Sequence, residues 1–195
     1  MKKYIVVLGA GVSGIGAAVL AKKKGFKVFV SDKGSITDKN KAVLLNNEID
    51  WEEGLHTLDL ILNADEVIKS PGIPDAIEEI QQIKNKGISI VSEVEFAFRY
   101  TNAKIAAITG SNGKTTTTLL LGHTLKNAGY DVLVAGNVGV GFASSIAERD
   151  YDYIVLELSS FQLDGIKEFR SDIAILLNIT PDHLDRYDNK LEKYA

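Results

Sequence analysis

The opening of the chain, YIVVLGAGVSGIGAAVLAKKKG (residues 4–25), limits the fold more than any other stretch. Tyr4–Leu8 has no polar alternation and is rich in β-branched residues, the pattern of a strand covered on both faces of a parallel sheet. It runs directly into glycines at 9, 11 and 14, then into a helical pattern over 15–24 that ends at Gly25. The same alternation continues, with strands expected at 27–31 and 66–69 and helices at 40–46 and 75–86. The last helix follows the prolines of SPGIP (70–74), which force a turn, and stops at Gly87. Strand, crossover helix and parallel strand in succession define a doubly wound α/β sheet, and residues 1–92 hold enough elements to close one.

A second run starts after ISIVSE (88–93): a short helix at 93–100, a strand at 104–109, a helix at 115–128, and strands at 131–135, 153–158 and 173–179. The expected organisation is a Rossmann-like domain over 1–92, followed over 93–195 by part of a P-loop-type α/β ATP-binding domain. With 195 residues, 45% hydrophobic and 25% charged, the chain can bury a core of this kind. A net charge of −4 without a basic stripe argues against a nucleic-acid partner, and the absence of cysteine excludes disulfides and thiolate metal sites. The start MKKYIVVLGAGV imitates a secretory leader, but its apolar part is short and broken by glycines. No apolar stretch approaches the roughly 18 residues a membrane span needs, so the cytoplasm is the expected compartment.

Two loops carry chemistry. GAGVSGIG supplies Gly9, Gly11 and Gly14 as G-x-G-x-x-G between strand and helix, with Asp32 ending the second strand about 18 residues later, where that motif places a ribose-binding acid. Taken alone, it fits a dinucleotide cofactor, or a turn that only packs a helix on a strand. ITGSNGKTTTT (108–118) is more specific. The usual phosphate loop has a glycine five positions before Gly113, but Ile108 stands there, so the loop is a shortened G-x-x-G-K-T beginning at Gly110. Shortening leaves its physics intact: N–H groups from Asn112 to Thr115 can turn inward, Lys114 can reach the β- and γ-phosphates, and the Thr115 hydroxyl can face Mg²⁺. Four successive threonines are poor helix formers, which is easier to explain if the first has another task. Near strand ends lie Glu157 in YIVLELSS, Asn137 in AGNVGVG, and Asn178, Asp182, His183 and Asp185 in ILLNITPDHLDR. Of the three histidines only His183 has such a setting; His56 and His123 read as surface or helix-face residues.

GAGVSGIG, KSPGIP, ITGSNGKTTT, AGNVG, LELSSFQL and LNITPDHLDR, in this order along the whole chain, resemble the Mur ligase family of ATP-dependent amide-forming enzymes. SPGIP and ELSSFQL are the parts that separate a D-glutamate-adding member from relatives adding other amino acids. The resemblance implies UDP-N-acetylmuramoyl-L-alanine and D-glutamate as substrates, ATP and Mg²⁺ as cofactors, and a bacterial cytoplasmic monomer. It implies uridine contacts from Val12, Ser13 and Asp32 in place of a nicotinamide cofactor, and substrate contacts from Gly72, Asn137, Ser159 and His183. ATP would lie on Gly110, Ser111, Asn112, Gly113, Lys114, Thr115 and Thr116, with one Mg²⁺ served by Thr115 and Glu157 and a second by His183. Lys114, Glu157 and His183 are the expected catalytic residues. The family pattern continues beyond Ala195 with a carbamylated lysine, adenine contacts and much of the glutamate site, so the chain is expected to be a fragment, inactive alone. The residues by themselves leave two rivals: an NAD oxidoreductase, which leaves the Gly-Lys-Thr loop and Glu157 without a task, and a nucleotide-controlled binding module.

Overall fold

A computed structural model describes residues 2–182, 184–188 and 190–194. In chain order the elements are β1 (Tyr4–Leu8), α1 (Val12–Lys23), β2 (Lys27–Asp32), α2 (Asp38–Asn46), β3 (Asp50–Glu53), α3 (Leu58–Ile61), β4 (Glu66–Lys69), α4 (Glu78–Asn85), β5 (Ser89–Val91), α5 (Glu93–Phe98), β6 (Lys104–Thr109), α6 (Lys114–Asn127), β7 (Val132–Gly136), α7 (Phe142–Glu148), β8 (Tyr153–Glu157), α8 (Ser160–Leu163), β9 (Ile173–Leu176) and α9 (Leu191–Tyr194), with a 3-10 turn at Leu184–Tyr187. They form two compact units. The first holds 1–101 with 141–149 and 165–169; the second holds 102–140, 150–164 and 170–195.

In the first unit five parallel strands run in the order β3-β2-β1-β4-β5. One face buries Val6, Leu8, Phe29 and Val67 under Ile61, Ile80 and Ile83 of α3 and α4. α1 brings Ile15, Ala17, Ala18, Leu20 and Ala21 into the core as buried residues. Small side chains there let α7 approach: a Cβ on Gly16 would come within 3.0 Å of the Ser144 nitrogen. α7 was not foreseen from the sequence, because FASSIAE is short and Ser-rich and carries a weak helical signal.

The first compact unit continues past residue 92 because α5 belongs to its core. Val94, Phe96 and Ala97 are buried, and Phe96 meets Phe26 and Tyr100 ring to ring. The helix starts at Ser92, whose hydroxyl accepts the Glu95 N–H. It carries two buried glutamates with opposite tendencies. Glu95 Oε2 accepts the N–H groups of Lys167, Glu168 and Phe169 at 2.8, 3.0 and 2.9 Å. Although burial pushes its carboxyl up, those three bonds, with Arg99 nearby, bring it below the usual carboxylate range. Glu93, 4% exposed, has a single hydrogen-bond partner among the described residues, the Ala143 N–H of α7 at 2.7 Å. Burial therefore dominates and pushes its carboxyl up from 4.5 to about 7, against the pull of that one bond.

The consequence is a pH dependence of known sign. Above 4.5 the unfolded chain ionises Glu93 while the folded unit keeps it protonated, so stability falls as pH rises from 4.5 to about 7 and then levels. The full difference corresponds to about 3 kcal/mol. Glu93→Gln, which removes the ionisation, is expected to flatten this slope and to be relatively most stable at pH 8. The chain has one tryptophan, Trp51 in β3 of the first unit, so urea melts followed by its fluorescence at pH 5 and pH 8 measure the effect. An unchanged slope in the variant would remove Glu93 as its source.

The second unit has four parallel strands in the order β7-β8-β6-β9. Ile108, Val132 and Val155 form its buried cluster, flanked by Leu121 and Leu125 of α6. β9 ends at Leu176, earlier than the apolar run to 179 suggests, because Asn178 is drawn to the loop after β6. Among the described residues no helix is long and apolar enough to cross a membrane.

Candidate functional site

In the first unit the chain leaves β1 to build one side of the sheet and later returns beside β1 as β4, which makes the carboxyl ends of β1 and β4 the switch point where such sheets take ligands. Two segments flank that point. From β1 comes the glycine loop. Gly14 is required there by close approach, since a Cβ would lie 1.8 Å from the Gly9 carbonyl oxygen. α1 starts at Gly11 without a side-chain cap, and the N–H groups of Val12, Ser13 and Gly14 have no acceptor among the described residues. That leaves donors suited to a diphosphate. Val12 is 76% exposed at this helix start. From β4 comes the turn at 70–74. Ser70 N–H donates to Leu8 O at 3.0 Å, and Ile73 N–H closes the turn on Ser70 O at 3.1 Å. Gly72 is exposed at its crest, with nothing within 4 Å of the place a Cβ would occupy.

Asp32 ends β2 with both carboxylate oxygens engaged, Oδ2 accepting the Ala10 N–H at 2.6 Å and Oδ1 the Gly34 N–H at 2.7 Å. It therefore ties the glycine loop to the segment after β2, and its remaining lone pairs stay available to a hydroxyl or imide donor. On β2 beside it, Ser31 is fully buried. Its hydroxyl lies 2.7 Å from Glu52 Oε1 and 2.6 Å from His56 Nδ1. This is a buried polar link between β2 and β3, closed by Thr57 on Glu52, and no exposed nucleophile results.

In the second unit the loop between β6 and α6 has its turn at Gly113, whose φ of +86° at the helix start suits glycine alone. The Lys114 ammonium is folded back onto its own loop, donating to Gly110 O at 2.6 Å and Ser111 O at 3.1 Å. Thr115 and Thr116 are exposed at the first turn of α6. Asn178 grips the loop from the β9 side. Its Oδ1 accepts the Asn112 N–H and its Nδ2 donates to Asn112 O, both at 2.9 Å, while its carbonyl accepts the Ser111 N–H. Ser111 is buried, its hydroxyl donating to Thr180 O at 2.8 Å. The sequence marks Asn178 as a strand-end polar residue, but a reciprocal pair across 66 positions has no local signal.

Glu157 ends β8 beside β6, in register with Ile108, two positions before Gly110. It is 1% exposed; Oε1 accepts from Asn137 Nδ2 at 2.9 Å and Oε2 is buried with no partner among the described residues. An orphaned buried carboxylate oxygen near a phosphate loop is what a divalent cation would satisfy. Among the described residues no group of three or more acidic or histidine side chains gathers. The Asn137 side-chain amide is committed to Glu157. Ser159 starts α8, its N–H and hydroxyl both donating to Gln162 Oε1. His183 lies outside the described residues.

Together these features define a class, a two-unit parallel α/β protein with a glycine-rich helix start in one unit and a Gly-Lys-Thr loop between strand and helix in the other. The Mur ligase middle domain matches residues 108–195, and the Mur ligase MurD-like N-terminal domain matches 3–92. The chain belongs to the Mur ligase family. It is 59% identical over 192 residues to UDP-N-acetylmuramoylalanine–D-glutamate ligase of Bacteroides fragilis, covering 98% of this chain and 43% of that one. With the enzyme of that name from Porphyromonas gingivalis it is 60% identical over 195 residues, covering 100% and 43%. The chain thus spans 43% of the length of these relatives. Among solved structures it is similar to the UDP-N-acetylmuramate:L-alanyl-gamma-D-glutamyl-meso-diaminopimelate ligase of Neisseria meningitides, with TM-score 0.64 and 23% identity over 96% of this chain and 64% of that one. UDP-N-acetylmuramate-alanine ligase of Thermotoga maritima aligns with TM-score 0.62 and 24% identity over 100% and 45%. At these identities the two structures speak for the fold.

Proposed function

We propose that this chain carries the nucleotide-binding part of an ATP-dependent ligase that adds D-glutamate to UDP-N-acetylmuramoyl-L-alanine in the bacterial cytoplasm. The observation that carries the reading is the orphaned Glu157 oxygen in the unit that also holds the Gly-Lys-Thr loop. In this reading residues 1–92 hold the UDP part of the substrate and 93–195 contribute to the ATP domain. Val12, Ser13 and Asp32 take the uridine diphosphate, with Gly72 in the adjoining turn. Asn137 and Ser159 serve the substrate's acyl end.

The chemistry is charge clamping. A substrate carboxylate attacks the γ-phosphate of ATP, giving an acyl phosphate and ADP; the D-glutamate amine then displaces phosphate and forms the amide. Negative charge gathers on the transferring oxygens in the first step. Lys114, released from Gly110 and Ser111 carbonyls, turns its ammonium to that charge, and the first-turn N–H groups of α6 hold the neighbouring oxygens. Mg²⁺, when bound through Thr115 and Glu157, supplies further neutralisation. Asn137 orients Glu157 by occupying one of its oxygens and leaving the other for the cation. A second cation site at His183 belongs to the same proposal.

Calorimetry of the chain with UDP-N-acetylmuramoyl-L-alanine, ATP–Mg²⁺ and NAD tests the reading. Binding of the UDP compound and no binding of NAD are expected, and the reverse would favour an oxidoreductase. Asp32→Ala should weaken the UDP compound by about 1–3 kcal/mol, the scale of a lost buried hydrogen bond. Unchanged affinity would take Asp32 out of the site.

A further inference from the structure

We propose that Lys69 is a positioning residue of the nucleotide site in the first unit, holding the turn at 70–74 in place against the glycine loop without touching ligand itself. The inference rests on reading that site as one for a nucleoside diphosphate. Lys69 is the last residue of β4, and its side chain is 17% exposed, low for an ammonium. Its charge is used locally. It donates to Ile73 O at 2.7 Å and pairs with Asp75 Oδ1 at 2.9 Å. The Asp75 carboxylate is itself held by Lys84 of α4 at 2.8 Å, and the Asp75 carbonyl accepts Gln81 Nε2 at 2.8 Å. A line of polar contacts therefore runs from α4 through Asp75 and Lys69 to the exit of the turn.

The entry of the turn is fixed separately by Ser70 N–H on Leu8 O. Ser70 in turn packs on the loop, its hydroxyl oxygen lying 2.6 Å from the place a Cβ on Gly9 would take. Gly72 stands between these two anchors. With Lys69 absent, the Ile73 carbonyl and the Asp75 carboxylate lose the cation that joins them, and the exit of the turn is left with Ile73 N–H on Ser70 O and the bonds of Asp75 to α4, a looser hold than at the entry. A ligand would then have to order the turn on binding, which lowers affinity without altering any group that contacts it. Two prolines in the turn limit the remaining freedom, so the expected loss is moderate.

The test compares the parent chain with Lys69→Met, which keeps the apolar stem, and Lys69→Arg, which restores the charge. Two readouts are used: UDP binding by calorimetry and amide exchange at Ile73, whose N–H is bonded to Ser70 O. Lys69→Met should bind UDP about tenfold more weakly and exchange faster at Ile73, with exchange in β1 unchanged, and Lys69→Arg should recover part of both. Parent-like UDP affinity in Lys69→Met overturns the proposal, as does faster exchange spread through the whole sheet, which would mark a general structural role. Failure of the parent chain to bind UDP overturns the reading of the site. Exchange at the turn still decides, in that case, whether Lys69 holds it.

Discussion

Gly14→Ala is expected to destabilise the first unit by about 3 kcal/mol or more and to abolish UDP binding. The added methyl would fall 1.8 Å from the Gly9 carbonyl oxygen, a backbone atom that no rotamer change can move aside. Relief requires α1 to shift, and α1 carries Ile15, Ala17, Ala18, Leu20 and Ala21 into the core. Gly11→Ala in the same motif is the control: its Cβ would meet nothing within 4 Å, at a φ of −75° open to any residue. Trp51 fluorescence in urea separates the two variants. Equal midpoints would show that the loop yields more readily than its geometry indicates.

Lys114→Ala is the second large effect. In the full-length ligase proposed above, phosphate release should fall by at least about a thousandfold, because a methyl group cannot offset charge on the transferring phosphoryl oxygens. Affinity for the UDP compound should be unchanged, since its proposed uridine diphosphate contacts lie in the first unit and Lys114 is assigned to ATP rather than to that compound. Among the described residues Lys114 donates only to carbonyls of its own loop, so its removal should leave the melting behaviour close to the parent's. Turnover within tenfold of the parent would make the loop a structural turn.

The sequence was most legible where burial on both faces leaves no polar residue to confuse the pattern. β1, β4 and β6 are found at the bounds that their apolar runs suggest. β3 was invisible. Its residues are Asp-Trp-Glu-Glu, and they form a strand only because β2 offers an edge and because Glu52 and Glu53 find donors in Ser31, Thr57, Ile36 and Lys41. α7 was hidden for a related reason, its position being set by the small residues of α1 and by Glu93, far away in sequence. At the site, glycine spacing and the Gly-Lys-Thr triplet mark the two loops directly, because backbone geometry constrains the local sequence. The sequence marks Asn137 and Asn178 as polar residues near strand ends, but the pairings themselves do not show: Asn178 on Asn112, Asn137 on Glu157, and Lys69 on Ile73. Each is an ordinary polar residue whose task exists only after folding.

The five strands of the first sheet all lie within residues 4–91, yet the unit that contains them is complete only with 141–149 and 165–169. Before those segments arrive, the small-residue side of α1 and the Glu95 carboxylate lack what covers them in the folded chain. Emergence from the ribosome is therefore out of step with sheet formation. The leading sheet can pair early, but the nascent unit has to wait, with part of its interior open, until residue 169 has left the exit tunnel. Whatever attends that interval, whether a chaperone or only the speed of translation, acts on a molecule whose first part is finished by its later part.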